Sequence, residues 1–488
     1  MGRWLILVSI TTGTFMANID ATAVTVALPT MAREFGVRLD ALQWVLSAYL
    51  LAITAVLPVF GRLADILGRK RVLNTGLALF VIASLLVGLA PTFPLLIGAR
   101  ALQGIGASMF MATIMATAVT AFPPGERGRV LGLIGSMVGV GTLLGPALGG
   151  LLTDAFGWRS IFFINLPVGL LGAVGTFVFL PDDPGTGGSL RRLDVPGAVF
   201  FAGFSVSLLL GLGIGPTTGW AGGEVLGLLL ASATFLLLFV VQQVRVARPL
   251  IDLRLFRRRV FGLGNLAAFL CYTVMLFPAL LYPLYLHEVA GWSIGTTGLL
   301  MTLQAVAMLL VSPLSGWWSD RVGAMRPTLL ALGILMLAML ATAFLGPASP
   351  VWLIGLLLAL LGAGYGLFNA PNTFAVMGDL GRDQVGTANG VVATMRNLAR
   401  AVGVAVAVLL YQVFAGTSAT VGISSAAFLA GFRGVFLVGA LLSAAAFLVV
   451  VFMYRRKQPE PFMNPETGEC TRTGPGNRTR RTHPPPLR

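Results

Sequence analysis

Apolar runs of about 18 to 25 residues, bounded by charged residues or by Pro/Gly clusters, recur along the chain. An α-helix rises about 1.5 Å per residue, so each run is long enough to cross a hydrocarbon layer of about 30 Å. They fall near 5–28, 41–60, 72–90, 94–119, 130–153, 160–180, 195–215, 223–243, 260–282, 295–315, 328–346, 350–371, 390–415 and 432–454. Fourteen spanning helices are predicted, and an even number puts both ends of the chain on one side. The first run is too long for the core of a signal peptide and lacks a small-residue cleavage pattern, so it reads as a retained span.

Composition agrees with lipid as the solvent. The 488 residues are 56% hydrophobic and 10% charged, with a mean hydropathy of +0.88, whereas water-soluble domains carry about 25% charged residues. The chain has two His (His287, His483) and two Cys (Cys271, Cys470). Metal sites, disulfide frameworks and cofactors are therefore not expected, and no nucleophile–base cluster within the spans points to an enzyme.

The net charge of +15 alone would suggest nucleic acid, but its distribution suggests membrane sidedness. With the N-terminus in the cytoplasm, the cytoplasmic segments hold Arg62, Arg69, Lys70, Arg71, Arg127, Arg129, Arg191, Arg192, Arg321, Arg326 and Arg382. They also hold Arg245, Arg248, Arg254, Arg257, Arg258 and Arg259, whereas the other side keeps only Arg33, Arg38, Arg159 and Arg433. A multi-pass protein of the cell (inner) membrane with both termini cytoplasmic is the expectation, and nucleic acid is not an expected partner. The tail after Tyr454 has no apolar period and reads as disordered, its Arg455, Arg456 and Lys457 meeting lipid headgroups.

The chain repeats itself. "GRLADILGRKR" (Gly61 to Arg71) and "GWWSDRVGAMR" (Gly316 to Arg326) share G-x3-D-x2-G-x2-R at an offset of 255 residues. That offset spans eight predicted helices, which suits two six-helix halves separated by a two-helix insert. The divisions are 1–180 for the first half, 181–259 for the insert, 260–454 for the second half and 455–488 for the tail. A second echo sets "RALQGIGA" (Arg100 to Ala107) against "LLGAGYGL" (Leu360 to Leu367), pairing Gly104 with Gly364 and Gly106 with Gly366 at an offset of 260.

Several segments in order carry a family resemblance: "NIDATAVTVALP" (Asn18 to Pro29), "LQWVLSAYLL", the Gly61 loop, "RALQGIG", "GTLLGPALGG" (Gly141 to Gly150) and "WRSIFFINLPVG" (Trp158 to Gly169). Together with the span count, they resemble the major facilitator superfamily, and within it the fourteen-span drug:proton antiporters of the EmrB/QacA type. The resemblance implies an all-α integral membrane protein, two six-helix bundles plus two extra central helices. It also implies export of hydrophobic or cationic compounds in exchange for protons. An importer, or an exporter of a specific lipid, metabolite or other solute, is the alternative within the same superfamily.

Asp20 is the one acid placed well inside a predicted span, and an intramembrane carboxylate is a functional candidate by default. It lies roughly 13 Å from one boundary of its span and Arg100 lies roughly 9 Å from the same side, so the two are expected to meet. The cation favours the charged carboxylate while burial favours the neutral one, and a proton carrier needs both. Gln103 follows Arg100 by one turn. A fixed ion pair that only orients two helices is the competing reading.

In the fifth span Gly141, Gly145 and Gly149 recur every four residues, and Pro146 removes a backbone donor, so a smooth, bent packing face is expected. Gly150 closes the motif, whose resemblance to the antiporter motif supplies the direction of transport. The resemblance likewise implies that Asp65 and Arg69, on a loop turned by Gly61 and Gly68, latch one conformation, with Asp320 and Arg321 as a second copy. Asn18, Gln103, Tyr272, Phe277, Tyr282, Tyr285, Gln304, Tyr365, Phe368 and Asn369 are the substrate-cavity candidates, because such cavities lie between the halves near midplane. Arg396 and Arg400, four apart in the thirteenth span, are expected to snorkel to the cytoplasmic interface.

Overall fold

The computed structural model describes residues 2–122, 127–182, 194–246, 249–378, 385–417 and 424–455, together with 462–463 and 470–471. Fourteen helices among them are long and apolar enough to cross a membrane. In the first half they are α1 (Gly2–Phe35), α2 (Trp44–Leu67), α3 (Arg69–Gly88), α4 (Phe93–Ala121), α5 (Arg127–Phe156) and α6 (Asn165–Phe179). The insert is α7 (Val195–Thr218) and α8 (Gly223–Arg245). The second half is α9 (Arg259–Leu284), α10 (Ile294–Val322), α11 (Met325–Thr342), α12 (Val351–Gly378), α13 (Val385–Ala415) and α14 (Ser425–Tyr454). A π-helical turn, Tyr285–Val289, extends α9, and one-turn helices precede α2 (Leu39–Leu42) and α6 (Ser160–Phe163). Most helices outrun their apolar cores at one or both ends, because backbone hydrogen bonding continues through the charged ends after hydropathy has fallen. In the tail, Phe462–Met463 pairs antiparallel with Cys470–Thr471.

Within the first half α1 packs on α5 and α6, and α4 on α2 and α3; within the second, α12 packs on α10 and α11, and α9 on α13 and α14. The halves meet along α5 with α10 and α2 with α13, with α1 facing α9 between them. The α7–α8 pair rests against both halves at once, through α2 and α13. Asp194 caps α7 and accepts hydrogen bonds from Gln242 (2.8 Å) and Gln243 (2.7 Å) of α8, which pins the hairpin.

The repeated loops share a backbone solution. Gly68 and Gly323, 255 positions apart, each end a helix at positive φ (95° and 80°), a region that glycine enters without a Cβ clash. The fourth-span echo lies two residues from the pairing that the sequence suggests. A Cβ on Gly104 would strike the Tyr49 carbonyl oxygen, and one on Gly362 the Gln304 carbonyl oxygen; Tyr49 and Gln304 are themselves 255 apart. Likewise Gly106 abuts Gly76 and Phe80 on α3, while Gly364 abuts Ala331 and Leu335 on α11, each pair again at 255. Gly104 thus matches Gly362 and Gly106 matches Gly364, at an offset of 258 rather than 260. The extra three residues fall in the longer α11–α12 connection. Arg100 and Gln103 then correspond to Leu358 and Leu361, both fully buried.

Candidate functional site

Close helix crossings assemble a buried polar cluster in the first half. The Gly76–Gly106 crossing seats α3 on α4 and brings Ser84 opposite Gln103; the Gly104 contact seats α4 on α2 and brings Arg100 under Tyr49. Asp20, 15 residues from the end of α1, completes the cluster. Arg100 Nη1 donates to Asp20 Oδ2 (2.6 Å) and to Gln103 Oε1 (2.5 Å), and its Nε donates to the Val45 carbonyl (2.9 Å). Gln103 Nε2 donates to Asp20 Oδ1 (3.0 Å) and Ser84 Oγ (2.8 Å), and Asn165 Nδ2 donates to Asp20 Oδ1 (3.1 Å). Both charged side chains are 0% exposed.

The carboxylate therefore accepts from three side chains, Arg100, Gln103 and Asn165. Arg100 Nη2 has no hydrogen-bond partner, although the residue borders the cavity described below. Asn165 and Ser84 belong to the cluster and were not among the sequence candidates. A polar residue inside an apolar run was their signal, and it is weak because many such residues merely bond back to their own helix.

Beside this cluster, between the halves, lies a cavity of about 140 Å³. Its wall is pseudo-symmetric: Leu46, Tyr49 and Leu50 of α2 face Met301, Gln304 and Ala305 of α10, each pair 255 positions apart. Asn18, Thr22 and Thr25 of α1, Thr142 and Pro146 of α5, and Met275 and Leu276 of α9 complete most of the rest. Arg400 of α13 also lines it, with its guanidinium carbon 5.3 Å from the centre of the Tyr272 ring.

The expectation for Arg400 is thereby corrected. It lies 15 residues from either end of α13, roughly 22 Å along the axis, so no rotamer takes it to an interface. Arg396, one turn away, stacks on the same ring at 5.9 Å.

The substrate candidates divide. Asn18 and Gln304 line the cavity, while Gln103 belongs to the Asp20 cluster behind it. Tyr272 backs the cavity wall beneath Arg400 and donates to Asn369 Oδ1 (2.8 Å). Phe277 and Tyr282 turn away from the cavity: Phe277 packs beside Gly439 of α14, and Tyr282 pairs with Thr342 (3.0 Å) among Phe432 and Phe436. Tyr285 donates to the Gly346 carbonyl (2.8 Å) in the same aromatic group. Tyr365 and Phe368 are buried in α12 and do not reach the wall. Being aromatic and in the right helix did not determine which face each presents.

The glycine motif of α5 serves two neighbours. Added Cβ atoms on Gly141, Gly145 and Gly149 would meet Asn18, Thr22 and Ala23, so this face admits α1. On the other face Gly150 meets Ile294 and Gly298 of α10, and Gly298 rests on the Pro146 carbonyl oxygen. Next to that contact, Asp154 Oδ2 accepts from the Gly295 N–H (2.7 Å) and Ser293 Oγ (3.1 Å). Arg33 pairs with Glu288 (3.0 Å), joining α1 to the turn after α9. The halves are thus sealed at the face carrying the α1–α2 loop. On that face Glu34 also binds Trp158 Nε1 (2.6 Å) and Arg159 (2.5 Å), which gives the "WRSIFFINLPVG" segment a structural role.

On the opposite face, the side chains of Asp65 and Asp320 lie outside the described residues. Gly61 has open space around it, and Arg321 stacks on Trp317 at 4.0 Å.

Residues 10–404 match the Major Facilitator Superfamily. The chain is 32% identical over 403 residues to the riboflavin transporter RibZ of Clostridioides difficile (strain 630), covering 83% of this chain and 87% of that protein. It is 35% identical over 410 residues to the multidrug resistance protein Stp of Mycobacterium tuberculosis (strain ATCC 25618 / H37Rv), covering 83% and 76%. It is 31% identical over 404 residues to the methylenomycin A resistance protein of Streptomyces coelicolor (strain ATCC BAA-471 / A3(2) / M145), covering 82% and 84%. Among solved structures, a bacterial homologue of the human lysosomal transporter Spinster, inward-facing and unoccupied, superposes with a TM-score of 0.67 at 15% identity, over 93% of this chain and 97% of that one. A point mutant of the nucleoside transporter NupG gives 0.65 at 12%, over 93% and 100%. Fold, cavity and sequence agree, and the chain belongs to the major facilitator superfamily as a multi-pass membrane transporter of small molecules, not an enzyme.

Proposed function

We propose that the protein is a proton-coupled antiporter of the fourteen-span EmrB/QacA type, exporting hydrophobic compounds from the cytoplasm by alternating access. The observation that carries this reading is the fully buried Asp20–Arg100 pair, whose arginine borders the cavity. Isolated charges in such a place are expensive, so one proton on Asp20 changes the electrostatics of the whole cluster. Ionised Asp20 ties α4 and α6 to α1 through Arg100, Gln103 and Asn165. Protonation removes the ion pair and loosens that tie, and the two forms serve different legs of the cycle: ionised with substrate, protonated on the return.

The positive-inside charge distribution supports cytoplasmic termini, and with them an inner-membrane protein whose sealed face is external, so that the described state faces inward. Of the substrates expected from sequence, the hydrophobic class fits the cavity better than the cationic one, because Arg400 stands in its wall and Asp20 is already paired. In proteoliposomes, an imposed pH gradient is expected to drive an uncharged labelled hydrophobic compound uphill in wild type and not in Asp20→Asn. Uphill transport by Asp20→Asn at the wild-type rate would remove the carrier.

A single specific solute is the second reading, favoured by the 32% identity to a protein named as a riboflavin transporter. Riboflavin in place of the hydrophobic compound tests it. Saturable movement of riboflavin alone would select that reading.

A further inference from the structure

The cavity holds a cation without a counter-charge. Arg400 forms no salt bridge with any described side chain; its guanidinium rests on Tyr272, with a second cation, Arg396, on the same ring. The helices around it offer nothing better: Asp20 of α1 is held by Arg100, and Glu288, beyond the end of α9, is held by Arg33. Arg100 borders the same cavity, and its buried Nη2 has no hydrogen-bond partner among the described residues. Unsatisfied buried donors are uncommon, and an unpaired cation at mid-helix depth is costly enough to need a reason. Leu46, Leu50, Met275, Leu276, Met301 and Met308 make much of the remaining wall apolar and adaptable, while Asn18, Gln304 and three threonines add uncharged polar groups.

We propose that Arg400 is the selectivity residue of this cavity, anchoring apolar molecules that present an oxygen acceptor, carboxylate or carbonyl, and excluding organic cations. The proposal rests on the transporter reading, since it requires a solute in the cavity, but not on the direction or proton coupling of transport. An acceptor-bearing ligand supplies Arg400 with the partner that the protein withholds, while its apolar body replaces water along the leucine and methionine wall. A cation in the same place meets Arg400 with no carboxylate free to offset it.

The test is equilibrium binding to the full-length protein in nanodiscs, with no proton gradient, using three probes of one shape: 2-naphthoate, 2-naphthamide and 2-naphthylmethylammonium. Empty nanodiscs correct for partition into lipid. Wild type is expected to bind naphthoate and naphthamide at least tenfold more tightly than the ammonium compound. Arg400→Gln should lose tenfold or more for naphthoate, less for the amide, and admit the ammonium compound; Arg400→Lys should keep the preference for the acid. Arg400→Gln is also expected to melt at a higher temperature than wild type without ligand, because it removes an unpaired charge at mid-helix depth, and this separates a binding role from a structural one.

Equal binding of ammonium and acid by wild type, binding of none of the three probes, or an unchanged preference in Arg400→Gln would overturn the proposal. A failed pH-gradient experiment with these binding results intact would instead overturn antiport alone. If naphthoate and naphthamide bind equally, the recognised acceptor is a carbonyl-type oxygen; if only naphthoate binds, it is an anion.

Discussion

At the residue scale, carrier and scaffold make opposite predictions for the Asp20–Arg100 pair, and the second half of the molecule suggests how to separate them. Leu358 and Leu361 occupy the positions of Arg100 and Gln103 there, and Met275 lies 255 positions after Asp20, so an apolar version of this site already folds in the same chain. Arg100→Leu alone strands a buried carboxylate and is expected to destabilise the protein by about 3–5 kcal/mol. Asp20→Asn/Arg100→Leu should recover most of that loss, and thermal unfolding of the four proteins in a mutant cycle measures the coupling. A structural pair predicts that the double variant transports normally; a carrier predicts a stable protein that no longer concentrates substrate. Asp20 and Arg100 were legible in the sequence because a charge inside an apolar run is rare and both lay at similar depth. Arg400 was misplaced although it too is a charge in a span: its partner-like neighbour at i−4, Arg396, imitated the pattern of an interfacial pair. Nothing in one sequence says which way a helix face turns.

At the scale of the element, α5 is a packing surface with two faces, and its contacts allow each to be perturbed separately. Gly298 of α10 rests on the Pro146 carbonyl, so Gly298→Leu overpacks the seal between the halves, an effect of about 1–3 kcal/mol. That is enough to shift an equilibrium between closed and open forms of this face about five- to 150-fold. Cysteines replacing Asp154 and Ser293 should cross-link readily in an otherwise wild-type protein and poorly with Gly298→Leu; equal cross-linking would mean that the seal tolerates the bulk. On the opposite face of the molecule, Asp65→Asn is expected to leave expression and insertion intact and slow turnover, since the last turn of α2 loses charge just beyond the apolar span that ends at Ala64. Turnover of well-expressed Asp65→Asn at the wild-type rate would remove the latch. The four-residue glycine period was readable as a packing stripe, yet its second face, Gly150 against Gly298, needed the partner helix to be known. The loop repeat was readable to the residue because a positive-φ glycine fixes its register. The fourth-span echo slipped by two because glycines at i and i+2 match themselves when shifted.

At the scale of the whole molecule, the span count was legible from hydropathy, because a chain segment of about 20 apolar residues crosses the membrane as a helix whose backbone hydrogen bonds are made internally. Which helices touch across the midline was not legible, since an apolar face against lipid and one against a neighbouring helix have the same composition. This global arrangement places one unpaired arginine in a cavity beside a paired carboxylate, and charge movement follows from it. Exchange of one cation for one proton moves no net charge, whereas exchange of one uncharged molecule for one proton carries one charge inward per cycle. A membrane potential is worth about 2.3 kcal/mol per charge per 100 mV, so a potential of 100 mV with no pH gradient would support roughly fiftyfold accumulation of an uncharged substrate and none of a monovalent cation. An anionic acceptor doubles the charge moved and squares that ratio. Proteoliposomes with a potassium gradient and valinomycin, buffered to equal pH on both sides, measure this directly. Accumulation of an uncharged substrate is expected to rise with the imposed potential and to vanish in Asp20→Asn, which has no proton to carry. Pumping of a monovalent cation that responds to pH but not to potential, in place of the uncharged substrate, would mean that the cavity accepts cations, and the electrostatic reading of the cavity would then be wrong even if Asp20 carries the proton.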